Sequence, residues 1–351
     1  PRIVNSNKGI FMKEFRAFRV YTENNKIIGR VENLKIDDLS SGEVVIKSAY
    51  SSVNYKDALA GTGAFKFSHK SPQVIGINVS GHVISSSDKR FREGEAVLVT
   101  GYEFGVGHDG GYSEYCRVPA DWVVSLPDKM NLFNAMAIGT AGFTVALCVQ
   151  RLEENNQSPD LGQFIVTGAT GGVGNFAIDI MSTLGYDIVA VTGKPNSHQT
   201  LTSLGAKHIL DRNTIKPDGP PLEKGQWGGA IDNVGGDVLA WLARTIKPGG
   251  NIASVGLAGG SHFNTTVMPF ILRGVSVLGI NAPACNMAIR THLWDRLVND
   301  LAPKHIDKIV TNIVQLEDLP SVFKNMLAGK TIGRTVVSIN PKNKNDLVYK
   351  K

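Results

Sequence analysis

Cysteine is scarce: Cys116, Cys148 and Cys285 are the only three in 351 residues, and they are far apart. No C-x₂-C pair occurs. That removes a disulfide framework and a cysteine-rich zinc site and fits a reducing compartment, so a cytoplasmic protein is expected. Long apolar runs are also lacking. The one candidate, the uncharged stretch 135–149, is broken by Gly139 and Gly142 and is too short to span a bilayer. The N-terminus shows no signal-peptide pattern, and residues 1–11 lack periodicity and read as a vector-derived or disordered extension. Although the net charge is +6, there is no Lys/Arg block and no basic helix interleaved with aromatics. Neither nucleic acid nor membrane is therefore expected as a partner, and an anionic small ligand accounts for the balance. Internal repeats and low-complexity segments are missing too.

What is present divides in two. From Phe15 to about Asn131, short β-rich runs (18–21, 44–47, 79–84, 96–99, 115–118) are punctuated by Gly, Pro, Asp and Ser. From Ala135 the period changes to strands alternating with helices. Six strands, near 164–166, 187–192, 207–210, 229–232, 250–256 and 275–280, predict a doubly wound parallel sheet. The tail (helix 288–300, strand near Ile309, helix 319–328, strand 334–339) is mixed again and is expected to return to the first half. The expected fold is thus α/β, with a β-rich domain at 12–134, an inserted Rossmann domain at 135–285 and a returning segment at 286–345. The active site is expected where the domains meet.

The centre of the second half is Gln163-Phe-Ile-Val-Thr-Gly-Ala-Thr-Gly-Gly-Val-Gly-Asn175. A buried strand, a glycine turn and the helical stripe Val173, Phe176, Ala177, Ile180, Met181, Leu184 make the phosphate-binding half of a βαβ unit. Ala169 stands where the dinucleotide fingerprint usually has its first Gly, so the match is a variant. Thr170, Gly171, Gly172 and Val173 are the expected pyrophosphate contacts, with Gly174 closing helix onto strand. At the end of the next strand, where an acid reads the ribose of NAD, the chain has Thr192, Gly193 and Lys194. A cation and a hydroxyl without a carboxylate imply the 2′-phosphate of NADPH. Arg212 reads as a lid on the adenine or its ribose, or as a loop arginine. Asn233, Gly235 and Leu257 lie at strand ends where the nicotinamide half runs.

Several stretches together carry a resemblance: Ser52-Val-Asn-Tyr-Lys-Asp57, Gly139-Thr-Ala-Gly-Phe-Thr144, the glycine loop, Gln226-Trp-Gly-Gly-Ala-Ile-Asp232, Gly256-Leu-Ala-Gly-Gly260, Met268-Pro-Phe-Ile-Leu-Arg273 and Gly333-Arg334. The chain resembles the zinc-independent quinone-oxidoreductase branch of the medium-chain dehydrogenase/reductases, and within it the acrylyl-CoA reductase family. The resemblance implies a GroES-like catalytic domain, a Rossmann domain, NADPH, a homodimer and a small-molecule substrate. That substrate is an α,β-unsaturated acyl-CoA, with an enone, 2-alkenal or quinone as the alternative. A non-catalytic NADPH-binding sensor is the reading from another class.

Catalytic candidates by resemblance are Asn54, Tyr55 and Asp57. Tyr55 is placed against the cofactor or the substrate carbonyl, and Asp57 either acts or braces Lys56. Tyr102 is a second candidate donor. Ile271 reads as a cofactor contact or as core. Thr140 reads as a helix cap, and Arg273 and Arg334 as solvated arginines or CoA-phosphate ligands. Zinc relatives have a cysteine ligand where this chain has Asn54, and Asn78 replaces an acid usual in the family. His82 stands alone, so no metal is expected.

Overall fold

The computed structural model describes residues 14–24, 26–64 and 71–339. The expected domain limits at Met12 and 345, and the extension 1–11, lie outside the described residues.

The chain divides into two compact units. The first runs to Thr140 and takes back Pro283–Val298 and the chain from Val310 on. Its early strands are β1 (Phe15–Glu23), β2 (Lys26–Leu34), β3 (Val44–Val53), β4 (Gln73–Val74), β5 (Asn78–Ser86), β6 (Ala96–Thr100), β7 (Tyr115–Val118) and β8 (Val123–Ser125). A short helix, α1 (Tyr55–Thr62), follows β3. β1 and β2 form an antiparallel ribbon in register from Phe15↔Leu34 to Glu23↔Lys26. β2 is absent from the sequence reading because its Lys, Arg and Glu residues interrupt the apolar run, as they do on a sheet with a wet face.

The larger sheet of this unit has the order β15-β16-β3-β5-β6-β8, with β7 on β3. Its last two strands, β15 (Val310–Val314) and β16 (Arg334–Ser338), come from the returning tail. Inward residues of β3, β5 and β6 (Val44, Ile46, Val79, Val83, Val97, Val99) close one core with Phe104 and Cys116. Phe18, Val20, Ala58, Ile75, Tyr112, Phe323 and Val337 close another.

The second unit holds β9 (Phe164–Val166), β10 (Ile188–Thr192), β11 (His208–Asp211), β12 (Trp227–Asp232), β13 (Ile246–Ser254) and β14 (Ser276–Gly279). All five pairings are parallel, in the order β11-β10-β9-β12-β13-β14. This is the doubly wound Rossmann order, with the crossover reversal between β9 and β12. Fully buried Phe164, Ile165 and Val166 explain the unbroken apolar run of the central strand.

Three expectations shift. The stretch around 135–149 belongs to one longer helix, α2 (Leu132–Glu154), kinked where Gly139 takes φ 46 and ψ −150. By length and composition α2 would cross a membrane, but 78% of its apolar window is buried inside the protein, so it is a core helix. The break expected at 134/135 falls at Thr140/Ala141. Finally, Asn299–Ile309, expected in the returning segment, groups with the second unit. Buried Asp179 accepts there from the Lys304 and His305 backbone N–H groups (2.9 and 3.1 Å) and from His305 Nδ1 (2.8 Å), pinning this segment to the helix Gly172–Thr183.

Candidate active site

The expected site residues fall in both units. In the second, β9 ends at Val166, and after Thr167 the chain turns at Gly168 with φ 58. The left-handed position is therefore met one residue before Ala169, which is wholly buried. That accounts for the variant fingerprint. Gly171 caps the helix α3 (Gly172–Thr183) and is exposed, with only Gly168 O (3.5 Å) near the place a Cβ would occupy. Gly174 is different: a Cβ there would lie 2.7 Å from Ala169 Cα, so helix and loop are in backbone contact. Thr170 and the capping Gly171 lead into Gly172 and Val173, the first residues at the positive end of a twelve-residue helix, the arrangement that receives a pyrophosphate.

The loop is held from β12. Asp232, fully buried, accepts from Thr167 Oγ1 (2.6 Å) and from the backbone of Val234 and Gly235 (3.2 and 2.8 Å). Burial keeps its carboxyl above the usual 3.8 against those bonds. Asn233 then donates from Nδ2 to Thr167 O (2.8 Å), while its Oδ1 is buried with no hydrogen-bond partner among the described residues. An orphaned acceptor beside the glycine turn is a place where a bound ligand completes the bonding. Leu257 stands 59% exposed on the loop packed over Gly235. Ile271 is 72% exposed on α4 (Met268–Arg273), so it is not core.

At the end of β10, Thr192 Oγ1 accepts from Lys194 N (3.0 Å). Arg212 lies across Gly193: a Cβ there would meet its Nε, Cδ and Cγ at 2.5–3.0 Å. Burial, and then the Arg212 charge, pull the Lys194 ammonium below its usual value. Asp187, the nearest acid in sequence, sits at the opposite end of the strand with Lys207 and His208 (3.9 and 3.5 Å). Two crowded cations and a hydroxyl fit a phosphate on the ribose.

In the first unit, the Asn54–Asp57 block opens α1. Asp57 is 1% exposed and accepts from Asn54 N (2.8 Å), Asn54 Nδ2 (3.0 Å) and Ile77 N (3.0 Å). Arg334, 3% exposed, donates to Asn54 Oδ1 (3.1 Å), Val53 O (2.9 Å), Ser52 Oγ (2.7 Å) and Ala137 O (3.0 Å). Fully buried Asn78 continues the network, donating to Ser52 Oγ (2.8 Å) and accepting from Thr140 Oγ1 (2.6 Å). Tyr112 Oη donates to Ser52 O (3.3 Å) and sits beside Asp57. Burial holds the Asp57 carboxyl up and brings the Arg334 guanidinium down to about 10, so Arg334 stays charged at neutral pH.

This geometry corrects several expectations. Asp57 is sealed among its donors and cannot reach a substrate; it caps α1. Asn54 bridges Asp57 to Arg334 with both ends of its amide, so it positions its neighbours and does not act. Arg334 is neither solvated nor a CoA ligand. Arg273 is spent as well, on Arg244 O (2.9 Å), Ile246 O (3.1 Å) and Glu223 O. Thr140 serves Asn78 through its hydroxyl. Tyr55 alone of the three catalytic candidates faces solvent, at 44% exposure.

Sequence reasoning gave no role to Tyr112, Ser52 or Thr167: Ser52 and Thr167 stand inside the quoted motif stretches, and Tyr112, three residues before β7, carries no local signal. A divalent metal does not suit the site: the amide of Asn54 already faces a guanidinium. Among the described residues no cluster of three His, Cys, Asp or Glu side chains could hold one.

Residues 40–128 match the family model described as alcohol dehydrogenase GroES-like domain, and 172–299 the model described as zinc-binding dehydrogenase. The putative quinone oxidoreductase YhfP of Bacillus subtilis is 44% identical over 93% of this chain and 99% of its own. Its crystal structure, with NAD bound, superposes with a TM-score of 0.90 over 93% of this chain and 100% of that one. Acrylyl-CoA reductase AcuI of Ruegeria pomeroyi is 42% identical over 91% and 96%. The yhdH oxidoreductase of Salmonella enterica, in complex with NADP, is 42% identical with a TM-score of 0.90 over 93% and 100%. The chain is an oxidoreductase of the medium-chain dehydrogenase/reductase family and belongs to its zinc-independent branch, with the acrylyl-CoA reductases and putative quinone oxidoreductases.

Proposed function

We propose that this protein is an NADPH-dependent reductase of an α,β-unsaturated acyl-CoA, converting acrylyl-CoA to propanoyl-CoA. One observation carries the cofactor choice: Lys194 and Arg212 crowd together at the end of β10, where the chain runs Thr192-Gly-Lys194 with no acid of its own, and Asp211, beside Thr192 on β11, accepts from Asn213 N (2.9 Å). The substrate rests on the likeness to acrylyl-CoA reductase AcuI over nearly the whole chain.

A bound NADPH supplies the hydride that adds to the substrate β-carbon. The protein's part is to bind and orient. Thr170, Gly171, Gly172 and Val173 take the pyrophosphate, and Thr192, Gly193, Lys194 and Arg212 the 2′-phosphate. Asn233, Leu257 and Ile271 line the path toward the nicotinamide; Tyr55, exposed at the start of α1, is the catalytic candidate of the first unit. The buried Asp57–Asn54–Arg334 network keeps the start of α1, and with it Tyr55, in one place. A homodimer is supported by the resemblance and by exposed Val267 and Leu272 just before the edge strand β14.

Quinone or 2-alkenal reduction is the second reading, favoured by the 44% identity to YhfP. NADPH oxidation with acrylyl-CoA, crotonyl-CoA and a simple quinone, with NADH as control, tests both. Turnover on acrylyl-CoA with NADPH supports the proposal. Turnover on the quinone alone moves the function to the second reading, and tight NADPH binding without turnover on any acceptor points to a sensor.

A further inference from the structure

One end of the larger sheet in the first unit carries a polar row. Register sets Thr335 of β16 opposite Val53 of β3, and Asn78 of β5 opposite Thr100 of β6. Asn78 reaches Ser52 across the gap between β5 and β3. Neighbouring strands stand about 4.8 Å apart, so the chain leaving β6 is about 10 Å from the chain leaving β3. Each places a tyrosine two residues past its strand: Tyr55 after Val53, and Tyr102 after Thr100.

Tyr102 is held unlike any other described residue of its size. Its φ is 53, left-handed, a conformation otherwise taken among described non-glycine residues by Asn24 and Asn156. Asparagine tolerates it; a bulky aromatic is strained there. Three fixed groups impose it. The Tyr102 N–H donates to Pro283 O (2.9 Å), Trp122 stacks on the ring (5.7 Å between centroids, 8° between planes), and the Arg290 guanidinium lies 4.6 Å from the ring centroid.

Arg290 is itself anchored and fully buried, donating to Thr100 O (2.8 Å), Thr100 Oγ1 (3.0 Å), Pro283 O (3.1 Å) and Cys285 O (3.3 Å). The ring is therefore immobilised, yet the residue is half-buried and no described residue bonds its hydroxyl. Tyr112 cannot serve instead, because its hydroxyl is buried and committed. Strain over-determined by its surroundings, with the one reactive group left unbonded by the described residues, is how a site is pre-organised.

We infer that the Tyr102 hydroxyl donates the hydrogen bond that holds the substrate carbonyl oxygen and stabilises the enolate formed there. The buried Arg290 charge behind the ring favours the negative charge that develops. This rests on the reduction proposed above. A hydride adds to the β-carbon, the C=C pair moves to leave an enolate, and a solvent proton then completes the α-carbon. Tyr102 keeps its own proton, so one hydride and one proton are added in all.

The test compares wild type with Tyr102→Phe, which retains the clamp. Three readouts are needed: turnover, affinity for NADPH, and calorimetric affinity for propanoyl-CoA, which binds without reacting. Expected are an unchanged Tm and NADPH affinity, kcat lower by on the order of a hundredfold, and weaker propanoyl-CoA binding. Turnover and propanoyl-CoA affinity within about twofold of wild type, the span of ordinary mutational noise, would overturn the role of Tyr102. Wild type that works on a quinone but not on acrylyl-CoA overturns the substrate reading alone, and the comparison then runs on the quinone carbonyl. Silence of wild type on every acceptor overturns both.

Discussion

Arg212 lies across Gly193 and crowds Lys194 at the end of β10, so two cations share one strand end. A 2′-phosphate relieves that crowding and a ribose hydroxyl does not. Lys194→Ala should weaken NADPH by about 1.5–3 kcal/mol while sparing NADH. Parallel titrations of both coenzymes check it, and an equal loss for the two would contradict the assignment.

The two glycines of the phosphate loop should behave oppositely. Gly171 has room for a methyl, so Gly171→Ala should leave Tm unchanged and weaken the dinucleotide, whose phosphates need that space. Gly174→Val drives a side chain into Ala169 and should cost about 1–3 kcal/mol in urea unfolding. A stable Gly174→Val protein would mean that α3 sits farther from its loop.

Arg334 satisfies five oxygen acceptors near a buried carboxylate. Removing the guanidinium in Arg334→Met strands Asp57 and those acceptors together. The expected loss is about 3–5 kcal/mol of stability. A loss under about 1 kcal/mol, the worth of an exposed pair, would show the network to be slack.

The raised carboxyl of Asp232 sets a sign for pH dependence. Its folded value lies above the unfolded 3.8, so the fold favours the protonated form. That contribution is complete below 3.8 and is lost as pH rises through the folded value. Relative to Asp232→Asn, wild type should therefore lose stability between acid and neutral pH. Urea unfolding across that range measures the difference, and a gap that widens in favour of wild type toward neutrality would reverse the assignment.

The Rossmann half was legible because each of its signals is local. A buried strand, a glycine turn and a helical stripe occupy consecutive residues, and Thr192-Gly-Lys194 follows within one βαβ unit. The first unit was less so. Arg334 follows a glycine and looks like a surface arginine, yet β16 returns beside β3 and buries it between Asn54 and Ala137. Asp57 looks like chemistry until Ile77 N and Asn54 are seen to enclose it. Tyr102 carries no periodic signal at all, because its clamp comes from Trp122, Pro283 and Arg290, residues distant in the chain.

The central claim is hydride delivery to the β-carbon of an acyl-CoA. It is tested most directly by incubating the enzyme with acrylyl-CoA and NADPH deuterated at nicotinamide C4, then locating the label in the product. Propanoyl-CoA with one deuterium on its β-carbon is the predicted result. No reduced thioester, alongside quinone turnover with the same cofactor, would contradict it.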